Sequence, residues 1–455
     1  MNDSEKTELT PANDNPWYWL ATAYGEQTGA SIDQNLTDKN RAAWNCWISR
    51  SYTTRESELL AQIGFSQSEV LGFPEHEKKA FYETVIARSG RKNISIEFLP
   101  KPMDRPDFSK NHFEKNCAFK SYVFPQGVTF ASATFSQEAN FRGAIFLEDS
   151  DFTSATFTTF ANFNSATFVG AAVLISVTFK QLGLFMSATF DDWASFKSST
   201  FKDGVYFTSA KFRGETVFEA VFLNGPVYFD SAEFIAPARF NDARFNSLSS
   251  FINATFASKT SFSGAHFPSF APEFFGTTLH EGTRWDKAKW PRSPIDQNEA
   301  QMQVHAYERL KQEMEKLKKH EDEQFFFRKE LRARREFHTW GSTYWWLNYL
   351  YEKLSNYGYG VVRPLVAFAA LFLVGFALLA IDPFGFAGRK LTKWDAAFTS
   401  LANMFGSIPL KTLADYKTDK TFAYSAEIFA IFQTIAGAVL LFFFFLALRN
   451  RFRLR

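Results

Sequence analysis

The sequence predicts a mainly β protein: a parallel β-solenoid, capped and followed by helices, two of which can cross a membrane. Three observations carry this. Phenylalanine supplies 56 of 455 residues and recurs on a steady beat between Phe119 and Phe267. A charged stretch at helical spacing follows, and two uncharged apolar runs come after it. The net charge of +2 sets up no global field toward nucleic acid or an acidic substrate. The two cysteines, Cys46 and Cys117, are too few and too far apart in sequence for a disulfide framework.

The beat alternates gaps of five and six. One series runs from Phe119 in elevens to Phe262, the other from Phe124 in elevens to Phe267; of these 28 slots 26 are Phe, and the others are Leu174 and Leu223. A small or β-branched residue stands two before most anchors, as in Ala133-Thr134-Phe135, Ala161-Asn162-Phe163 and Val205-Tyr206-Phe207. Residues two apart on an extended strand point the same way, so each unit turns a small and a large side chain inward and the residue between them outward. The remaining residues must turn a corner. Pro125, Pro226 and Pro237 fall in those corners, and so do seven of the eight glycines; Gly183 is the exception. So short a strand cannot fold alone, but stacked coils bury a continuous column of rings. An eleven-residue helical repeat would instead build a right-handed coiled coil. Corner prolines and abundant Phe and β-branched residues exclude it. The interior is therefore expected to hold Phe130, Phe135, Phe141, Phe146, Phe152, Phe157, Phe163, Phe168, Phe196, Phe201, Phe207, Phe212, Phe240, Phe245, Phe251 and Phe256.

Over 119–267 this pattern resembles the pentapeptide-repeat family in its phenylalanine-centred variant. The resemblance implies a right-handed quadrilateral β-helix in which 28 faces make seven coils of 22 residues, a rod of roughly 34 Å at about 4.8 Å per coil. The chain departs from strict fives by one residue on alternate faces, which bears on how square the cross-section is. Some soluble members bind gyrase by imitating duplex DNA. Residues 119–267 carry 10 Lys/Arg and 12 Asp/Glu, too balanced for that mimicry, and nucleic acid is not an expected partner.

Before the rod, residues 1–14 are polar and expected as a disordered tail without a cleavable leader. Residues 15–100 are expected as a helical cap anchored by Trp17, Trp19, Trp44 and Trp47, since an open solenoid needs its first coil covered. The segments "NPWY", "YGE" and "KNRAAWN" are similar to the openings of bacterial pentapeptide-repeat proteins with a comparable membrane tail. That similarity implies a bacterial inner membrane.

After the rod, 296–337 reads as a helical hairpin. Asp296 with Glu299 marks its start, and Tyr307, Leu310, Met314 and Leu317 share one face. Arg328, Lys329, Arg332, Arg334 and Arg335 form either a solvated face or a membrane-surface patch, each cation contributing about 1 kcal/mol near anionic lipid. Residues 344–357 are aromatic and amphipathic, as an interfacial helix is. Residues 365–381 and 428–448 are expected to span the bilayer. Basic residues at both outer ends place the N- and C-termini in the cytosol.

Between the spans, 393–409 reads as a short re-entrant or pore-like helix with Ala396, Ala397, Leu401 and Met404 on its apolar face. Gly406 and Ser407, with Gln433, Thr434 and Gly437 on the second span, are candidates for pore lining or helix packing. A span, a half-crossing helix and a second span resemble the pore region of two-helix ion channels. The selectivity strand of potassium channels is replaced here by "FGSIPL", and the "YGYG" at 357–360 precedes the first span, where a turn is expected.

No phosphate-binding glycine loop, zinc-protease motif, nucleophile elbow or Cys/His cluster occurs, so no catalytic, cofactor or metal site is expected. The expected function is a non-enzymatic interaction scaffold, tethered to membrane lipid and meeting protein partners. The alternative is a homo-oligomeric ion channel organised or gated by the solenoid.

Overall fold

The computed structural model describes residues 8–62, 72–91, 94–294, 296–381, 392–405 and 420–453. They form two compact units, one ending at Arg292 and the other beginning at Ser293.

In the first unit the chain winds through four parallel sheets of eight, seven, seven and seven strands. From Asn111 onward each strand pairs with the one four strands later, so Thr156 lies against Thr178 and Phe157 against Phe179, a register of 22 residues. A coil therefore has four faces. The inserted residue of alternate faces goes into the corners and leaves the register unchanged. Phe141, Phe163 and Phe185 stack in one column with centroids 4.8 and 5.0 Å apart and planes within 2°. That spacing is the separation of neighbouring strands. Neighbouring columns meet edge to face, as Phe141 meets Phe152 at 90°, the geometry that ring quadrupoles favour. All sixteen expected interior phenylalanines are buried.

The uneven beat reflects two kinds of corner. After each anchor of the Phe119 series, the second residue adopts a positive φ: Ser121, Ser132, Gly143, Ser154, and onward in elevens to Gly264. The turn closes with bonds such as Ala133 N–H to the Phe130 carbonyl at 3.0 Å. These are the five-residue corners. In the six-residue corners only Gly127 takes a positive φ. Gly183, the exception to the corner rule, occupies an inward strand slot where a Cβ would come 3.1 Å from the Phe201 ring.

The stacking outruns the stretch read from sequence. Phe108 lies on Phe130 at 4.8 Å and Phe113 on Phe135 at 4.5 Å. Beyond Phe267 one extra residue shifts the register to 23, and the columns continue: Phe274 on Phe251, Trp285 on Phe262, Trp290 on Phe267.

The helices before the coils are α1 (Pro16–Ala21), α2 (Gln34–Ile48), α3 (Thr54–Gln62) and α4 (Glu75–Ser89). Trp17, Trp44 and Trp47 cluster with centroids 5.6–6.3 Å apart. Of their helices, α2 bonds to the first coil at Ser121 and Val123. Asn45 accepts from Val123 N–H at 3.0 Å and donates to the Ser121 carbonyl at 3.1 Å, while Trp44 Nε1 donates to the Val123 carbonyl at 2.8 Å. Tyr122, bulky in a slot that is otherwise small, reaches out of the column and donates to the Ala21 carbonyl at 2.7 Å. Residues 8–14 differ from a loose tail. Thr10–Pro11 pair with Asn111–His112, and Ala12 is buried.

The second unit has α5 (Gln297–Lys316), α6 (His320–Phe337), α7 (Thr343–Ser355), α8 (Val362–Ile381), α9 (Lys393–Met404) and α10 (Lys420–Arg453). Asp296 caps α5 by accepting from Glu299 N–H at 2.8 Å. The hairpin of α5 and α6 buries Tyr307, Leu310, Met314, Phe326 and Ala333. The "YGYG" segment is a turn, with Asn356, Tyr357 and Gly358 all at positive φ. α8 and residues Ile428–Phe452 of α10 are long and apolar enough to cross a membrane, and only 17% and 22% of those windows is buried within the protein.

Candidate functional site: a polar knot among apolar helices

α8, α9 and α10 pack on one another with Ser400, Asn403 and Gln433 turned inward. Gln433 is fully buried. Its Nε2 donates to Ser400 Oγ at 3.0 Å and lies 3.4 Å from the Leu371 carbonyl; its Oε1 accepts from Asn403 Nδ2 at 3.2 Å. Ser400 Oγ donates in turn to the Phe372 carbonyl at 3.0 Å. Thr434 Oγ1 lies 2.7 Å from the Asn403 carbonyl and 2.9 Å from that of Ala430. Two glycines make room. A Cβ on Gly375 would overlap the Gln433 amide and lie 2.5 Å from Ser400 Oγ; one on Gly437 would lie 2.5 Å from the Met404 carbonyl.

Of the residues singled out from sequence, Gln433, Thr434 and Gly437 therefore meet in one cluster, where they bind helix to helix. Gly406 and Ser407 lie outside the described residues. Sequence reasoning missed Ser400, Asn403 and Gly375. The signal was a polar pair three apart on α9, which shares a helical face. The face expected for α9 is also corrected. Ala396, Ser400, Asn403 and Met404 are buried, whereas Leu401 is exposed with Trp394, Phe398 and Phe405. The short helix turns Ser400 and Asn403 inward between Ala396 and Met404.

The five basic residues of α6 are largely engaged inside the unit. Arg332 Nε meets Glu352 at 2.8 Å, and Arg335 binds the other oxygen of Glu352. Arg334 meets Glu330 at 2.7 Å, and Arg328 lies over the Tyr359 ring at 4.6 Å. Burial raises the Glu352 carboxyl, but the bonds and charges of Arg335 and Arg332 outweigh it and leave it below the ordinary carboxylate range. Burial, and after it the charge of Arg332, holds the Lys329 ammonium down to about 8. Tyr357 Oη donates to Asn348 at 2.8 Å, so the turn is pinned to the same joint. Arg332 and Arg335 knit α6 to α7 through Glu352. The sequence offered no sign of it, because Glu352 lies in a different helix.

In the first unit an open cleft of about 460 Å³ lies between the cap and the first coils, with Glu56, Arg105, Glu148 and Asp149 on its walls. Asp149 is occupied in part by accepting from Ala171 N–H at 3.0 Å. Among the described residues, no group of three or more His, Cys, Asp or Glu is placed to hold a metal ion.

Comparison with protein-family models, curated proteins and solved structures returns no match to this chain, so its function has to be read from its own residues.

Proposed function

We propose that the protein is a non-enzymatic interaction scaffold of the pentapeptide-repeat type, wound with the right hand that type implies and tethered to a bacterial inner membrane by α8 and α10. Both termini then lie in the cytosol, where the solenoid offers its outward ladders to protein partners, with self-association into a homo-oligomer compatible with the same tether.

One observation carries this reading: the burial of aromatic and polar side chains is inverted between the coils and the last three helices. The coils are filled by stacked rings, which leaves binding to the flanks and corners. In α8, α9 and α10 the buried side chains include Ser400, Asn403 and Gln433, and the exposed ones include Phe398, Phe432, Phe442 and Phe445. Apolar-out packing is stable against hydrocarbon and costly against water. The polar knot is consumed by bonds within one chain, which supports helix packing over a conducting path.

The test is fractionation followed by planar-bilayer recording of the purified full chain. The scaffold reading expects protein that stays with membranes after alkaline washing, dissolves in detergent and is electrically silent. A conductance that disappears on deletion of 393–410 would replace it with the ion-conducting assembly, and protein found in the supernatant would remove the tether.

A further inference from the structure

We propose that the chain binds the headgroups of anionic phospholipids through a collar of four cations, Lys353, Arg363, Arg449 and Arg451; this rests on the membrane reading above. The fold brings them together from three helices. α7 turns through residues 356–360 into α8, and Asn450 Nδ2 donates to the Gly358 carbonyl at 2.9 Å. Phe443 stacks on Tyr351 at 5.5 Å. The far end of α10 is thereby held beside the start of α8, and residues 353, 363, 449 and 451 gather at one end of the two apolar helices.

All four side chains are exposed, and none meets a carboxylate within 4 Å among the described residues. The carboxylate of that joint, Glu352, is already taken by Arg332 and Arg335. Arg363 uses one nitrogen to donate to the Glu352 carbonyl at 2.9 Å, and Lys353 lies over the Tyr349 ring at 5.4 Å. The collar therefore carries a charge of about four with no carboxylate beside it among the described residues. Trp346 is exposed on α7, and indole rings favour the headgroup depth of a bilayer. A phosphate suits a guanidinium fork, and at that depth lipid supplies it. A zwitterionic headgroup cancels its own charge, so the collar selects lipids whose headgroup is net negative. The basic residues of α6, which the sequence brings forward first, are mostly engaged within the unit.

The test uses the full chain in neutral detergent micelles titrated with brominated phosphatidylglycerol or phosphatidylcholine, read by tryptophan quenching, with salt varied. Binding is expected to favour phosphatidylglycerol and to weaken as salt rises. Each cation is worth about fivefold, so K353Q/R449Q/R451Q lowers the apparent affinity on the order of a hundredfold. R334Q, which touches Glu330 and not Glu352, keeps the preference. The proposal is overturned if the wild type takes both lipids equally, if its preference ignores salt, if the triple variant retains it, or if inorganic phosphate competes as well as the lipid. Detergent-phase partitioning separates the two claims. Protein left in the aqueous phase sinks the membrane reading, whereas protein that partitions into detergent without a lipid preference sinks only the collar.

Discussion

Phe207 of the solenoid is fully buried between Phe185 and Phe229, at 4.9 and 5.0 Å, whereas Phe442 of α10 is 62% exposed and Gln433 of that helix is fully buried. The same residue type thus does opposite things in the stacked columns and in α10. In the coils the rings leave water and the polar residues keep it. Among the last three helices the amides and hydroxyls find one another, and the rings are left to a surrounding that does not compete for hydrogen bonds. Opposite burial of one side chain in one sequence points to two different solvents.

The strongest attempt to break that contrast is a pair of truncations. Phe207→Ala opens a hole in a stacked column and is expected to cost about 3–5 kcal/mol. Phe442→Ala should stay within about 0.5 kcal/mol, both measured by denaturant titration of the full chain in detergent. Equal losses at the two positions would end the comparison. The knot comes next. Gln433→Leu leaves Ser400 and Asn403 without their partner and is expected to cost about 1–2 kcal/mol; unchanged stability would reduce the cluster to incidental contacts.

The corner rule is tested at Ser165, which holds φ at 56°. Ser165→Val should lose about 1 kcal/mol, because a β-branched residue resists that conformation, and Ser165→Gly should lose nothing. Matching losses would mean the left-handed corner is not what sets the five-residue gap. The last prediction concerns pH. The Lys329 ammonium is held down to about 8, against a usual value of 10.5. Between those values the unfolded chain keeps a proton that the folded one has released, so the α5–α6 hairpin gains stability as pH rises through that window. Lys329→Met should flatten the rise in a melting series. The inward slots between Phe124 and Phe267 hold no ionisable side chain, so the coils offer an internal reference.

Much of the solenoid was legible because its information is repeated. Every coil restates the same inward pair, and 22 residues return each strand to the one below. Three features broke that rule and stayed hidden. The one-residue insertion after Phe267 concealed the coil ending in Trp285 and Trp290. Tyr122 resembled an irregular small slot until it was seen to meet the cap. Asn45 is one polar residue on a helix, and nothing local says that it completes an open strand edge. The knot was half legible. Gln433, Thr434 and Gly437 stood out against apolar neighbours, whereas Ser400 and Asn403 were ordinary in an amphipathic segment.

By itself the sequence determined the period, the parallel stacking and the length of the apolar helices, since each follows from side-chain alternation or from an unbroken run along the chain. Only the tertiary structure decided which way α9 faces, that Glu352 holds the arginines of α6, and that the end of α10 returns to the turn at Gly358. Those outcomes depend on pairings between distant residues, and a hydrogen bond or ion pair has no partner until the fold supplies one.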